Sequence, residues 1–209
     1  MHGVSSGFHR IPYIAYNMLY TRKVLRIAML YYNRDPGYVS PQAPGMSAIA
    51  YVTGGPLAPQ LNGVVYFQDV PGGTWVSAEI KDLPPYQPGQ FGKDPIGPHG
   101  FHIHEVGVCE VGDPVNPFQS AGEHWNPTNQ PHGNHAGDFP VLFSNNGYAR
   151  IDFFTNRFRV ANVIDRSVII HQSPDDYRTQ PAGKSGKRLA CGIILQAGHA
   201  GYPSFISVL

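Results

Sequence analysis

The sequence predicts an all-β fold, an antiparallel sandwich or barrel, on three observations. Only 14% of its 209 residues are charged, while glycine, proline, tyrosine and phenylalanine number 24, 20, 12 and 11, which favours short strands and many turns. From Ser47 onward, short runs rich in β-branched and aromatic residues alternate with turn signals. No apolar pattern of useful length has the period of a helix. The length allows one good-sized domain with a hydrophobic core.

Seven runs have the composition of strands, and turn residues lie between them. The predicted strands are residues 48–53, 63–69, 74–81, 100–105, 148–154, 167–171 and 190–195. The turn signals include Gly-Gly-Pro at 54–56, Pro-Gly-Gly at 71–73 and Asn-Asn-Gly at 145–147. The segment 107–140 has little strand pattern, and an ordered loop of that length usually carries function.

The N-terminal segment differs from the rest of the chain. Residues 1–44 carry five arginines and lysines and no acidic residue before Asp35. The best apolar run, 24–32, is interrupted by Arg26 and is far shorter than the ~20 residues of a transmembrane helix, so no membrane span is predicted. The segment also lacks the order of a signal peptide. A degenerate targeting segment and a translation start at Met46 both stay open, and no cellular compartment is assigned.

Charge and cysteine content argue against three classes of function. The formal net charge of +1 gives no reason to expect a nucleic-acid partner, because such a partner needs a clustered basic surface. Cys109 and Cys191 are distant in sequence and form no CxxC pair, which excludes a thiolate zinc site and a thioredoxin-type motif. One disulfide and two buried free thiols both remain open for these cysteines.

Most of the candidate functional residues are histidines. His102 and His104 lie two residues apart on a predicted strand, so both imidazoles point to the same side. In isolation, such a pair is better interpreted as two exposed histidines on a solvated strand. Further candidate ligands follow, however, at His124, His132, His135, Asp138 and His171. Three histidines with one aspartate suit zinc, and four histidines suit Cu(II), so seven ligands can serve two ions if one histidine is shared. Spacing alone does not identify a shared histidine.

Five motifs, in this order, resemble those of the copper-zinc superoxide dismutases. They are Gly-Phe-His-Ile-His-Glu at 100–105, Ser-Ala-Gly-Glu-His-Trp-Asn-Pro at 120–127, His-Ala-Gly-Asp at 135–138, Val-Ile-Ile-His at 168–171 and Arg-Leu-Ala-Cys-Gly at 188–192. The resemblance implies a Greek-key β-sandwich or flattened barrel with long metal-binding loops. It also implies three parts: an N-terminal extension of unclear role at 1–45, the superoxide dismutase-like domain at 46–195 and a C-terminal tail at 196–209.

The resemblance assigns a role to each candidate ligand. The implied copper ligands are His102, His104, His124 and His171. The implied zinc ligands are His124, His132, His135 and Asp138, with His124 as the bridge. The zinc-binding loop is short, with only two residues between His132 and His135. The spacing of five from His104 to Cys109 resembles that of bacterial members of the family more than that of eukaryotic ones.

Three further positions match the family outside the ligand sets. Asp175 matches the aspartate that links a copper histidine to a zinc histidine, here His102 and His132, and so fixes ring orientation. Local sequence alone would favour a turn-forming aspartate at that position. The two cysteines, Cys109 and Cys191, match the intrasubunit disulfide of the family.

The implied function is dismutation of superoxide to dioxygen and hydrogen peroxide, with copper and zinc as cofactors. His124 takes up and returns a proton in this scheme. Arg188, three residues before Cys191, matches the arginine that orients the substrate anion, against the plainer interpretation of a surface arginine. Nearby basic residues favour attraction of superoxide, namely Arg178, Lys184 and Lys187.

Two other functions use the same residues differently. A non-enzymatic copper/zinc-binding module on the same fold would be expected to lack a copper histidine or the arginine, and both are present. A structural zinc domain with exposed copper histidines would hold one ion per chain. A homodimer is possible in the family.

Overall fold

The computed structural model describes residues 45–197 of the chain. The predicted N-terminal extension, apart from Gly45, lies outside the described residues, as does the predicted tail from residue 198 onward. Between residues 45 and 197, the structure contains no helix with the length and apolar character that crossing a bilayer requires.

Seven strands form one antiparallel sheet in this described part of the chain. They are β1 (Ser47–Gly54), β2 (Asn62–Val70), β3 (Gly73–Lys81), β4 (Phe101–His104), β5 (Ala149–Thr155), β6 (Ser167–His171) and β7 (Arg188–Gln196), with short 3-10 helices at Gln119–Ala121 and Val160–Asn162. The sheet order is β4-β6-β7-β1-β2-β3-β5. Each strand overlaps a predicted run, which confirms the all-β prediction. β7 begins two residues earlier than predicted because Arg188 pairs with His171 beside a register shift.

The hydrophobic core is formed by strand residues that alternate between buried and exposed positions. In β3, Val76, Ala78 and Ile80 are buried, whereas the neighbouring Trp75 is 43% exposed. Phe67 of β2 lies opposite Val76 and is also buried. Complete burial of such apolar side chains stabilises the fold by about 1.5–3 kcal/mol each. By contrast, β4 and β6 are buried at every position, so both faces of this side of the sheet are covered.

The long connection between β4 and β5 lies beside β4. Trp125 N–H donates to Ile103 O at 2.8 Å, and Leu142 N–H donates to His99 O at 2.8 Å. These bonds satisfy backbone groups that an edge strand would otherwise leave open. The predicted loop 107–140 therefore packs directly against the strand that carries the first two predicted ligands.

A disulfide fixes this connection to the sheet. Cys109, in the connection, is bonded to Cys191 of β7, with a sequence separation of 82 and a Cα–Cα distance of 5.6 Å. The predicted pairing is confirmed, and the interpretation as two free thiols is wrong. Cys109 packs against a small buried cluster that includes Phe118 and Ile169. The bond thereby holds the loop segment near residue 118 against β6 and β7.

Candidate metal centre

β4 and β6 bring three of the predicted copper ligands together. His102 and His104 on β4 and His171 at the end of β6 are all buried. His104 Nε2 and His171 Nε2 lie 3.2 Å apart. His124, from the long connection, completes the group, with its ring centroid 3.9 Å from that of His102. The ligand atoms of these four histidines all lie within 4.8 Å of one another.

In the long connection, the histidines of the second predicted ligand group surround the carboxylate of Asp138. Asp138 Oδ1 lies 3.0 Å from His124 Nδ1 and 3.3 Å from His135 Nδ1, and Oδ2 lies 3.3 Å from His132 Nδ1. The backbone N–H groups of Gly133 and His135 donate to Asp138 Oδ2 at 2.9 and 3.0 Å. These four predicted zinc ligands are buried, and their ligand atoms also lie within 4.8 Å of one another.

His124 belongs to both groups. Its Nδ1 lies 3.0 Å from Asp138, within the second group. Its Nε2 is buried and has no hydrogen-bond partner, and it lies among the ligand atoms of the first group. An imidazole that offers one nitrogen to each of two ion sites is the arrangement that the family resemblance implies.

Several of the other rings use one nitrogen for a partner outside the two groups, and His102 and His132 leave the other nitrogen without a partner. His102 Nε2 and His132 Nε2 lie 2.7 and 2.8 Å from the two oxygens of Asp175. His104 Nδ1–H donates to Gly122 O at 2.9 Å. Such partners fix the tautomer and orientation of a ligating histidine, and with them the nitrogen that faces a metal.

The open ring nitrogens provide a test of whether the site fits metals. Within residues 45–197, four buried ring nitrogens of the two groups lack a hydrogen-bond partner: His102 Nδ1, His124 Nε2, His132 Nδ1 and His135 Nδ1. A buried polar atom without a partner is costly, and a metal ion at each group would remove that cost. Imidazoles with one carboxylate are the donors that zinc and copper prefer, so these residues fit both ions.

Burial keeps three imidazoles of the first group in the neutral form that binds metals. Desolvation, with the charges of neighbouring histidines, holds the pKa of His102 and of His104 well below 6.5 and lowers that of His171 to about 3. For Asp138, burial opposes ionisation, but the hydrogen bond and charge of His124 outweigh it and lower the pKa. At neutral pH, His102, His104 and His171 are therefore neutral and Asp138 is ionised.

Asp175 contacts one histidine of each group, which is the arrangement that the family resemblance implies. Besides the two rings, its Oδ1 accepts a hydrogen bond from Tyr177 N–H at 2.7 Å. No pattern in the sequence indicated a role for Gly183, which adopts a φ of +64° directly against this carboxylate. A Cβ at Gly183 would clash with Asp175 Oδ1 and lie 2.5 Å from His132 Nε2. Only a glycine leaves room for the contact between Asp175 and His132.

Arg188 is buried beside the first group rather than exposed on the surface. Its Nη1 donates to Phe118 O at 2.6 Å and its Nη2 donates to Gly122 O at 2.7 Å. Gly122 O also accepts the bond from His104 Nδ1, so one carbonyl positions the arginine and a predicted copper ligand. Arg188 lies opposite His171 in the β6–β7 pairing.

Comparisons with known proteins agree with this geometry. The family model described as copper/zinc superoxide dismutase (SODC) matches residues 61–194. The chain is 36% identical over 152 residues to "Superoxide dismutase [Cu-Zn]" of Deinococcus radiodurans, covering 65% of this chain and 78% of that protein. It is 33% identical over 160 residues to the protein of the same name in Legionella pneumophila, covering 73% and 88%. The solved "Cu/Zn superoxide dismutase from Brucella abortus" matches with a TM-score of 0.57 and 28% identity, covering 70% of this chain and 98% of that one.

Proposed function

The chain belongs to the copper/zinc superoxide dismutase family, and on this premise we propose that it converts superoxide to dioxygen and hydrogen peroxide at the buried histidine site. We assign copper to His102, His104, His124 and His171, and zinc to His124, His132, His135 and Asp138. The observation that carries this proposal is the pair of buried ligand groups that have His124 in common.

The protein provides a proton site in addition to the ligands. When bound, copper supplies the alternate one-electron reduction and oxidation that two superoxide anions require, and zinc supplies a redox-inert ion of fixed geometry. In the state in which His124 Nε2 is not a ligand, this buried nitrogen, which has no competing protein partner, would hold one of the two protons that hydrogen peroxide needs and return it to the product, and solvent would supply the other. His124 Nδ1, beside Asp138, keeps the ring in place meanwhile.

Arg188 orients the superoxide anion. Its planar, permanently charged guanidinium has five N–H donors, and the carbonyls of Phe118 and Gly122 engage only two of its nitrogens. Besides burial, the charge of Arg188 contributes to the lowered pKa of His104 and of His171, so it acts close to the copper ligands. The remaining N–H groups can bind a small oxyanion there.

Metal counting together with a dismutation assay tests the proposal. Protein loaded with copper and zinc should contain one of each per chain and consume superoxide rapidly. His171→Ala should lose copper and dismutation but keep zinc, because His171 belongs only to the copper set. Zinc alone, without dismutation after copper loading, would contradict the proposal and favour a structural zinc domain. Two bound metals without dismutation would favour the non-enzymatic copper/zinc-binding module.

The family also predicts a homodimer for this chain. Sedimentation of the loaded protein should then give twice the chain mass of 22.9 kDa. A species of a single chain mass at all concentrations would contradict it.

A further inference from the structure

The backbone of His132 is held by a side chain that none of the five motifs contains. His132 N–H donates to Gln180 Oε1 at 2.8 Å, and Gln180 Nε2 donates back to His132 O at 3.3 Å. The amide of Gln180 thus pairs with both backbone groups of one residue, as a neighbouring strand would. Because Asp175 engages Nε2 of the same residue, only Nδ1 of His132 lacks a hydrogen-bond partner.

Gln180 projects from a turn that is closed by its own hydrogen bonds. Asp176 N–H donates to Gly183 O at 3.0 Å, and Gly183 N–H donates to Thr179 O at 2.7 Å. Gln180 Nε2 also donates to Arg178 O at 3.2 Å. The side chain therefore starts from an ordered backbone, so little additional conformational entropy is lost when it binds His132.

A second side chain holds the backbone of His135 from another direction. Arg157, just beyond the end of β5, donates from Nη1 to His135 O at 2.8 Å and from Nη2 to Asn134 Oδ1 at 3.2 Å. A bidentate guanidinium contact fixes orientation as well as distance. The two contacts approach the metal-binding turn from two separate elements, the end of β5 and the segment after β6.

We propose that Gln180 and Arg157 are positioning residues that keep zinc in its site by fixing the backbones of His132 and His135. The inference rests on the proposed assignment of zinc to these histidines. The residues from His132 to Asp138 form no helix or strand, so no regular ladder of hydrogen bonds sets the spacing of the ligands. Besides the bonds that Asp138 accepts from Gly133 N–H and His135 N–H, side chains anchored elsewhere help to set it. Gln180 and Arg157 contact ligand backbones rather than the metal-binding atoms.

The experiment measures how fast zinc leaves the fully loaded protein. Gln180→Ala and Arg157→Ala are each mixed with a chromophoric zinc chelator, and the release rate is compared with that of the wild type. Each should release zinc about tenfold faster, the lower end of the effect seen when partners of metal ligands are removed. The copper content should stay at one per chain, because neither residue contacts a ligand that binds copper alone. Arg157→Lys, which retains one donor for His135 O, should recover part of the retention.

Two residues outside the site, the half-buried Gln68 and the exposed Arg159, provide matched controls. Gln68→Ala removes an amide that donates to Gly45 O and Asp69 O at 3.0 and 3.1 Å. Arg159→Ala removes a guanidinium that donates to Val70 O at 2.9 Å. Both controls should release zinc at the wild-type rate, even where their free energy of unfolding falls as much as that of the test variants.

The other results of this experiment distinguish failure of the inference from failure of the proposed function. Release from Gln180→Ala and Arg157→Ala at the wild-type rate would overturn the inference while leaving the zinc assignment intact. Faster release that the controls share would also overturn it, because the effect would then follow general stability. A wild-type protein that retains no zinc would overturn the proposed function itself.

Discussion

Gly183 brings the backbone closer to the two-metal site than any other residue type could. Because Gly183 lies against Asp175 and His132, it controls the geometry of the ligands although it lies outside their sequence motifs. We expect Gly183→Ala to displace Asp175 and to weaken metal binding by about 10- to 100-fold, as loss of a partner of a metal ligand usually does. Competition with a chelator measures the affinity.

The variant Gly112→Ala distinguishes the effect of the clash at Gly183 from the effect of backbone strain at a positive φ. Gly112 has a similar φ of +59°, but nothing lies within 4 Å of a Cβ placed there. This variant should lose some stability and keep its metal affinity. Equal losses of metal affinity in both variants would show that the positive φ, and not the contact with Asp175, is responsible.

Asp176 closes the turn that presents Gln180. Its carboxylate accepts hydrogen bonds from the Thr179 hydroxyl and N–H at 2.6 and 2.7 Å and from Arg178 N–H at 2.9 Å. These bonds, those from Thr179 first, lower the pKa of Asp176 to about 2. Because the folded pKa is depressed, the bonds stabilise the turn above the ordinary pKa of 3.8 and are lost as the pH falls through about 2.

Replacing the hydroxyl of Thr179 should raise this pKa. Thr179→Val keeps the shape of the side chain but removes its donor to Asp176 Oδ2. The carboxyl 13C shift of Asp176, followed by NMR against pH, should then titrate between about 2 and the ordinary 3.8. A midpoint unchanged from the wild type would contradict the assignment of the shift to Thr179.

The ligands could be proposed from sequence because their residue types are uncommon in such density. Histidines at strand spacing and in a loop without strand pattern indicate metal chemistry, and the five motifs then assign them. Gly183, Gln180 and Arg157 could not be proposed in this way. Their roles depend on backbone contacts between segments distant in sequence, and neither glycine, glutamine nor arginine has a preferred chemistry that marks such a position.

At the scale of elements, the disulfide ties to the sheet the loop that holds Arg188, the residue proposed to bind superoxide. Cys109 is tied to β7, and the same loop supplies Phe118 O and Gly122 O to Arg188. Closing a loop across a separation of 82 residues restricts the unfolded chain strongly. The bond should therefore affect both stability and substrate orientation.

We expect the double variant Cys109→Ser, Cys191→Ser to lose about 2–5 kcal/mol in the free energy of unfolding. Urea denaturation of the metal-free proteins measures this without the added stabilisation from bound metal. The loaded variant should also have a lower kcat/KM because the carbonyls that hold Arg188 are less fixed. An unchanged urea midpoint would contradict the structural role of the bond.

The strands were predictable because buried residues either alternate with exposed ones or follow one another without a break. Both arrangements are visible in the sequence as short runs with the composition of strands. The side of the sheet formed by β4 and β6 was harder to predict. Both strands are buried on both faces, and the cover is the long connection, whose path depends on pairs such as Trp125 with Ile103. Such pairs leave no periodic pattern in the sequence, so the packing of that loop could not be derived.

For the whole molecule, the net charge of +1 conceals a local excess of positive charge after β6. Lys184 and Lys187 are exposed on the segment that leads to Arg188. Replacing both by glutamate should lower kcat/KM for superoxide about tenfold at low ionic strength. The difference should shrink as salt rises above 0.1 M, where the screening length is about 10 Å.

Lys81→Glu, set against the single variant Lys184→Glu so that both change the net charge by the same amount, is the matched control for this electrostatic effect. Lys81 is exposed at the end of β3, which is separated from β6 by β7, β1 and β2 in the sheet order. Its replacement should change kcat/KM much less. An equal fall in both variants would indicate that net charge, and not the position of the lysines, controls the encounter with superoxide.

The shared histidine is tested most directly by anomalous diffraction from crystals of the copper- and zinc-loaded protein. Data collected at the absorption edges of both elements should give one copper peak among His102, His104, His124 and His171. A separate zinc peak should lie among His124, His132, His135 and Asp138, with the His124 ring between the two. A single peak, or two peaks that do not both contact His124, would contradict the two-metal site.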